Sequence, residues 1–453
     1  MNIIISGAGE VGCSIAETLS RVGHEITVIE PDSTVVDNCR GLDSRLICGN
    51  GAKAEIIESA GARDADFYFG LSADDEANML GCVIAKSMGC TTLARINSLK
   101  YISEPVSKKF APIGIDIAIS PKLVVADKIA KIIVIPALVN RTSMAKGKMM
   151  LVEAKVHTGS QICHNAILNT KLPKGLMIGA IFRGAHVIIP DGKTIIRKDD
   201  HLVMVIDSPD KMKNIERLMG EVHGKKRKRI ERVMIVGAND MAVHLAKLLE
   251  EKDVRVTMIE KRKDKCLKAA GKLKKTVVIE GEPTDKKLLL EEGMENMDAV
   301  VAMTRSEEFN ILIALFAKIY EIPKVMSLLY RTSLKPMMET VGIDFAASVK
   351  HLTIEAVLKE IEQLDILRTV TLHGGELMVF ETKVAKRSRA SGKKIKDIRL
   401  PRGVLIVGIF RKGKTLIPGG DDQVLKGDRV IIFCFQEMME QINRLFRGKG
   451  LIL

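Results

Sequence analysis

The chain has 453 residues, of which 46% are hydrophobic and 28% charged, with no Trp, 22 Met and a formal net charge of +14. That balance is globular, and the length predicts about three domains rather than one core. No apolar run approaches the roughly eighteen residues of a membrane helix, and Met1 leads straight into the first predicted strand, so neither a span nor a signal peptide is expected and the protein reads as soluble.

The first stretch, Asn2 to Ser6, is a predicted buried strand that ends in Gly7-Ala8-Gly9-Glu10-Val11-Gly12, a Gly-x-Gly-x-x-Gly turn. Gly7 lets the chain reverse, Gly9 lets backbone meet a pyrophosphate, and Gly12 allows close helix–strand packing. Val11, Ile15, Ala16, Leu19 and Val22 recur at helical spacing, so the turn opens a helix whose N–H groups and dipole suit phosphate. A second strand, Ile26 to Ile29, ends on Glu30, about twenty residues past the glycines, where a βαβ unit places the acid that bonds both ribose hydroxyls. A 2′-phosphate would meet a like charge there, which favours NAD or an adenosine nucleotide over NADP.

A helix is predicted over Ser33–Leu42, and a strand at Leu46–Cys48 stops at Gly49-Asn50-Gly51-Ala52, small residues that leave room for an adenine ring while Asn50 bonds its edge. Phe67–Gly70 is a fourth strand. Ala73 and Asp74 follow it, and Asp74-Asp75-Glu76 open a helix towards Lys86, where acids suit the dipole as caps or as ligand contacts. Leu93–Ile96 carries Arg95, and a strand at Ile115–Ser120 precedes a helix from Pro121 to Ile132. Strands alternating with helices predict a parallel doubly wound sheet. From Met149 to about Met219 short strands and turns predict a small α+β domain, with a helix around Cys163–Leu168.

After the basic run Lys225–Arg229 the pattern begins again. Gly237 and Glu260 follow Gly7 and Glu30 by 230 positions, Asn310 follows Asn78 by 232, and Asp428 follows Asp200 by 228. Such small drift marks a tandem duplication. The predicted fold class is therefore α/β, a tandem duplication of a Rossmann-like doubly wound parallel sheet domain followed by a small α+β domain. The boundaries are residues 1–135 and 232–362 for the Rossmann-like domains, 136–222 and 363–453 for the small ones, and 223–231 for a basic linker. The second copy, Gly237-Ala238-Asn239-Asp240-Met241-Ala242 with Glu260, keeps only the first glycine, and the Arg95 position falls near Leu328. It is expected to bind nucleotide weakly or not at all.

The eight Cys include no C-x-x-C and read as reduced, buried thiols, Cys48 and Cys434 in strand-like contexts, with disulfides the minor alternative. The nine His offer no metal-ligand spacing, so no metal is expected. No catalytic pair is recognisable.

A nucleotide-binding fold and a small module, duplicated in tandem without a span, resemble the peripheral regulatory subunit of Trk-type potassium uptake systems. The resemblance covers the whole chain and rests on Gly7–Gly12, Glu30, Gly49–Ala52, Ala73–Asn78, Ala94-Arg95-Ile96 and the duplication. It implies that NAD(H), or ATP or ADP at the same site, contacts Gly7, Ala8, Gly9, Glu10, Val11, Gly12, Glu30, Asn50, Gly51, Ala73, Asp74 and Arg95. It also implies a membrane-embedded potassium-translocating partner, a homo-oligomeric ring, and a location in the cytoplasm, peripheral on the inner face of the membrane, where nucleotide changes the hinge angle between domains.

Two other classes compete. A nicotinamide-dependent dehydrogenase needs a general acid or base opposite the nicotinamide, for which His157 and His164 are candidates on paper. Nucleic-acid binding would use Lys225–Arg229 and the basic segment Lys261–Lys275. Basic runs without interleaved aromatics are more often solvated linkers, then anionic-membrane contacts, so no nucleic acid is expected.

Overall fold

The structure, a computed structural model, describes all residues except 22, 37–38, 40, 103–109, 135–137, 145–147, 157–159, 185, 220–229, 364–368, 373–376, 387 and 448–453. The first Rossmann-like half runs β1 (Asn2–Ser6), α1 (Glu10–Arg21), β2 (Glu25–Glu30), α2 (Ser33–Val36), β3 (Arg45–Cys48), α3 (Ala54–Ser59), β4 (Phe67–Gly70), α4 (Asp75–Ser87), β5 (Thr91–Arg95), β6 (Ile117–Ile119) and α5 (Pro121–Val134). A first small module follows with β7 (Leu138–Met144), β8 (Met149–Lys155), β9 (Leu176–Arg183), β10 (His186–Ile188), β11 (His201–Ile206) and α6 (Met212–Met219).

The second half repeats the first with β12 (Arg232–Val236), α7 (Asp240–Glu250), β13 (Arg255–Glu260), α8 (Lys263–Ala270), β14 (Val277–Glu280), α9 (Lys286–Glu291), β15 (Ala299–Ala302), α10 (Glu307–Ile319), β16 (Lys324–Leu329), α11 (Lys335–Thr340), β17 (Phe345–Ser348) and α12 (Val349–Gln363). The second small module has β18 (Thr369–Leu372), β19 (Leu377–Lys383), β20 (Val404–Arg411), β21 (Lys414–Leu416), β22 (Arg429–Phe435) and α13 (Met439–Arg447).

These pieces group by kind rather than by order along the chain. One compact unit holds Met1–Val134 with Ile230–Leu367, and the other Ile135–Arg229 with Arg368–Leu453. In the first unit, two parallel sheets have the orders β3-β2-β1-β4-β5-β6 and β14-β13-β12-β15-β16-β17, the doubly wound arrangement with its switch point between the first and fourth strands. β1 and β12 lie inside their sheets, and their Ile3-Ile4-Ile5 and Val233-Met234-Ile235 side chains are buried on both faces, which explains continuous apolar runs in place of alternation.

The two halves exchange their last helices. Val125, Ala126, Ile129 and Ile133 of α5 share a core with Met241, Ala242, Leu245 and Leu249 of α7, so the first half's helix covers the second half's sheet. Val357 and Ile361 of α12 share a core with Val11, Ile15, Ala16 and Leu19 of α1. Each buried Ile or Leu side chain of this kind contributes about 1.5–3 kcal/mol. Lys128 of α5 meets Glu355 of α12 at 3.2 Å between them. Lys324, buried at the start of β16, donates to the Ile132 carbonyl near the end of α5 at 2.7 Å. The last four carbonyls of a helix lack intrahelical partners, and a cation there satisfies one and complements the dipole.

In the second unit, two antiparallel sheets have the orders β10-β9-β11-β8-β7 and β18-β19-β22-β20-β21. Their facing sides bury Leu151, Phe182, Val203 and Val205 against Val379, Val407, Ile431 and Phe433. Alternate residues Val152, Ala154, Ile178 and Met204 face the other way, towards Ile215 and Leu218 of α6, as period-two strands require. Buried Asp200 and Asp428 accept paired bonds from Arg183 and Arg411 at 2.7–2.8 Å, which is the physical reason these acids recur at a fixed offset.

Four expectations change. The described helix after Glu30 is only Ser33–Val36, and the remainder of the expected span includes positions outside the described residues. The helix around Cys163–Leu168 is instead a turn ending in a short 3-10 segment, Ile167–Asn169. His164 there has a φ of +62° and its N–H bonds the Ile196 carbonyl at 2.8 Å, so the backbone is committed to a neighbouring segment rather than to helix. Cys13 and Cys39 form a disulfide with Cα atoms 5.5 Å apart, so the all-reduced reading is wrong for this pair. Two cysteines 26 positions apart, without a motif, meet because the segment after α2 packs against α1, where Cys39 shares a core with Val11, Ile15 and Leu19. Cys48 is free but exposed rather than buried, whereas Cys82, Cys90, Cys163, Cys266 and Cys434 are free and buried. Burial pushes the Cys82 and Cys434 thiols up to about 12. Strand β7 and helix α6 have no counterpart in the sequence reading.

Candidate functional site

The residues singled out in the first half converge at the carboxyl ends of β1–β5, the end of a doubly wound sheet where ligands bind. Gly7 has a φ of +111°, and a Cβ on it would lie 2.6 Å from the Ser72 nitrogen. Only glycine lets this turn sit against the end of β4. At Gly9 the position of an added Cβ is open space, so backbone is presented outward. A Cβ on Gly12 would run into the Gly7 carbonyl, and Val11 is turned into the core, so these two offer a ligand backbone only. The first N–H groups of α1 have no intrahelical acceptors and carry the positive end of its dipole.

Glu30 closes one side of this mouth. Its Oε2 accepts the Ala8 N–H at 2.8 Å and its Oε1 the Asp32 N–H at 3.2 Å, which orients the carboxylate beside the turn. Asn50 is exposed and its Oδ1 accepts the Ala52 N–H at 2.8 Å, shaping the loop after β3. Gly51 is buried. Its missing side chain is explained by Ser6 Oγ and the Tyr68 hydroxyl, which donates to the Gly51 carbonyl at 2.7 Å, so packing rather than an adenine ring sets glycine here. Ala73 and Asp74 are exposed on the opposite lip, and Asp74 caps α4 by accepting the Ala77 N–H at 3.0 Å.

Two side chains that the sequence analysis did not place in the site hold this geometry. Asn78, 1% exposed, accepts from the Ser72 N–H and hydroxyl at 2.9 and 2.8 Å and donates to the Ser72 and Arg95 carbonyls at 3.0 and 2.8 Å, tying the end of β4 to the end of β5. Asp75 accepts the N–H groups of Asn97 and Ser98 at 2.7 Å each. Asn310 repeats the Asn78 bonds to Thr304 and Leu328, so the fixed offset of these asparagines was the available signal.

Arg95 emerges from this frame with a guanidinium Nε that is buried and has no hydrogen-bond partner among the described residues. Its Nη2 meets Asn97 Oδ1 only at 3.4 Å. Burial lowers the Arg95 pKa, and nearby Asp75 offsets part of that. A half-buried cation short of acceptors at the mouth of a glycine turn is suited to an anion.

The second turn has the same backbone and a different mouth. Gly237 has a φ of +108°, its N–H bonds the Ile259 carbonyl at 2.7 Å, and Glu260 accepts the Ala238 N–H at 2.9 Å. Where Gly9 leaves space, Asn239 accepts the Ala242 N–H at 3.0 Å and donates to the Met303 carbonyl at 2.5 Å. Its side chain bridges the two lips. Met241 points inward, and Asp240 is held by Lys122 of α5 at 2.8 Å, an ion pair that lowers the Asp240 pKa. Fully buried Leu328 stands in place of Arg95.

The other candidates do not assemble. His164 is exposed on its turn, while His157 and Lys225–Arg229 lie outside the described residues. Within the segment Lys261–Lys275, four cations are paired: Lys261 with Glu282, Arg262 with Asp264, Lys265 with Glu260 and Lys275 with Asp253. Among the described residues no group of His, Cys, Asp and Glu has a metal-holding arrangement, and no helix is long and apolar enough to cross a membrane.

Residues 3–121 and 233–349 match the TrkA-N domain, and residues 151–220 and 379–447 the TrkA-C domain. The chain is 33% identical over 456 residues to "Trk system potassium uptake protein TrkA homolog 1" of Methanosarcina mazei, covering 99% of this chain and all of that one. It is 31% identical over 460 residues to "Trk system potassium uptake protein TrkA" of Halomonas elongata, covering 99% of both. Among solved structures, "GsuK channel bound to NAD" shares the fold with a TM-score of 0.61 at 17% identity, covering 99% of this chain and 79% of that one. "Crystal Structure of the GsuK RCK domain" does so at 0.60, covering 99% and 95%. With both domain types matched twice, in alternating order, over most of its length, the chain belongs to the TrkA family of Trk-system potassium uptake proteins.

Proposed function

We infer that the chain is a regulatory subunit which senses a nucleotide, NAD(H) or ATP or ADP, and gates a separate membrane-embedded potassium transporter from its cytosolic face. The observation that carries this reading is the contrast between two turns of one backbone design. The first is open at Gly9 and faces an unpartnered Arg95 Nε; the second is bridged by Asn239 and backed by Leu328. One binding turn of the pair, with no catalytic pair beside it among the described residues, suits sensing rather than hydride transfer. Glu30 disfavours a 2′-phosphate at the ribose end. The full-length likeness to proteins named for potassium uptake supplies the partner class.

A ring of subunits is supported by apolar residues exposed on the fourth helix of each Rossmann-like half, with Leu80 and Leu312 at corresponding positions. These are Leu80 and Val83 on α4, and Phe309, Leu312 and Ile319 on α10. A ligand gates only through differential affinity for two states, and each tenfold preference supplies about 1.4 kcal/mol per site, so several sites in a ring add up. The test is potassium flux in vesicles carrying the cognate transporter. Flux that requires this subunit and changes with NADH or ATP supports the reading, and flux indifferent to both subunit and nucleotide contradicts it.

A further inference from the structure

The exchange of last helices brings a cation from each half to the glycine turn of the other. Lys122, in the first turn of α5, meets Asp240 of the second turn at 2.8 Å, and Lys350, in the first turn of α12, meets Glu10 of the first turn at 3.4 Å. The lysines are 228 positions apart and the acids 230, so this is one arrangement made twice. Its consequences differ because the mouths differ. At the second turn Asn239 bridges the lips beside the ion pair. At the first, Glu10 is the opening residue of α1, next to the open surface of Gly9, and is 75% exposed on its side chain, while Lys350 is 26% exposed.

A phosphate over Gly9 would face the Glu10 carboxylate at close range, a like-charge conflict that the helix dipole offsets only in part. Arg95 lies at the end of β5. Lys350 is supplied by α12 of the second half and already pairs with Glu10. We propose that Lys350 is a phosphate-binding residue of the first site supplied by the second half, leaving Glu10 to take a nucleotide phosphate when the site fills. This rests on the nucleotide reading of Gly7–Gly12 and deepens it. Lys350 opens α12, whose Val357 and Ile361 pack on Ile15 and Leu19 of α1, so the charge of the nucleotide is read directly by the second half.

The experiment is titration calorimetry of the full chain with ATP, ADP, NADH and adenosine, on the wild type and on Lys350→Ala, Lys350→Arg, Lys122→Ala and Gly9→Asp. Lys350→Ala is expected to weaken ATP and ADP about tenfold, the scale of one charge-assisted bond, and to leave adenosine unchanged. Lys350→Arg should restore most of the affinity, and Lys122→Ala should bind like the wild type. The proposal is overturned if Lys350→Ala binds ATP as the wild type does while Gly9→Asp does not, an outcome that leaves the nucleotide reading standing. It is overturned too if Lys122→Ala loses as much as Lys350→Ala, since loosening between the halves would then explain both. A wild type that binds none of the four removes the nucleotide reading and the proposal together.

Discussion

Glu250 shows how much one carboxylate can organise away from the site. Only 8% exposed, it accepts the N–H groups of Lys274, Lys275 and Thr276 and the Thr276 hydroxyl, at 2.7–3.2 Å. Burial alone would raise its pKa, but these bonds win and hold it below the ordinary 4.5. A depressed carboxylate pKa means stability that is fully present above about 4.5 and lost as pH falls through the lower folded value. Glu250→Gln should therefore cost about 1–3 kcal/mol near pH 7. The difference from the wild type should shrink below pH 4.5, as the wild-type carboxylate takes up its proton. Thermal melts of both proteins across that range provide the check, and a pH-independent difference would contradict the assignment. At this scale the sequence was legible where motif spacing fixes a residue's place. Gly7, Gly9 and Glu30 stand where the motif spacing put them. It was not legible where a residue has two plausible duties: Asp75 reads as a helix-end acid but binds the start of the loop after β5, and Gly51 reads as ligand space but fits against Ser6 and Tyr68.

Among elements, strands and helices of both halves follow their apolar periodicity, while the exchange of α5 and α12 does not. Periodicity says that a face of α12 is apolar, not which helix it will meet, and a duplicated chain offers two nearly equivalent partners. The prediction belongs to that exchange. Ile361→Ala, in the second half, should destabilise by about 2–5 kcal/mol, the cost of a buried cavity. Hydrogen exchange should speed up in β1 and α1 of the first half, where Ile15 and Leu19 lose their neighbour. Faster exchange confined to the second half would contradict the swapped packing. The Cys13–Cys39 disulfide was hidden for the same reason, because separation along the chain carries no information about which loop returns beside α1.

At the scale of the molecule, duplication supplied two turns and divergence kept one open. The asymmetry is in side chains rather than fold, since Gly237 keeps the positive φ of Gly7 and Glu260 the bond made by Glu30. That is why sequence comparison between the halves found the turn that keeps only its first glycine, and why structure was needed to show Asn239 lying across it. The central claim, one nucleotide per chain at the first turn, is tested by calorimetric stoichiometry with NADH, NAD, ATP and ADP on the wild type and on Gly9→Asp. The account predicts one site per chain in the wild type and no binding after Gly9→Asp, which puts a carboxylate where phosphate must approach. Normal binding by Gly9→Asp, or two equivalent sites per chain, would contradict it.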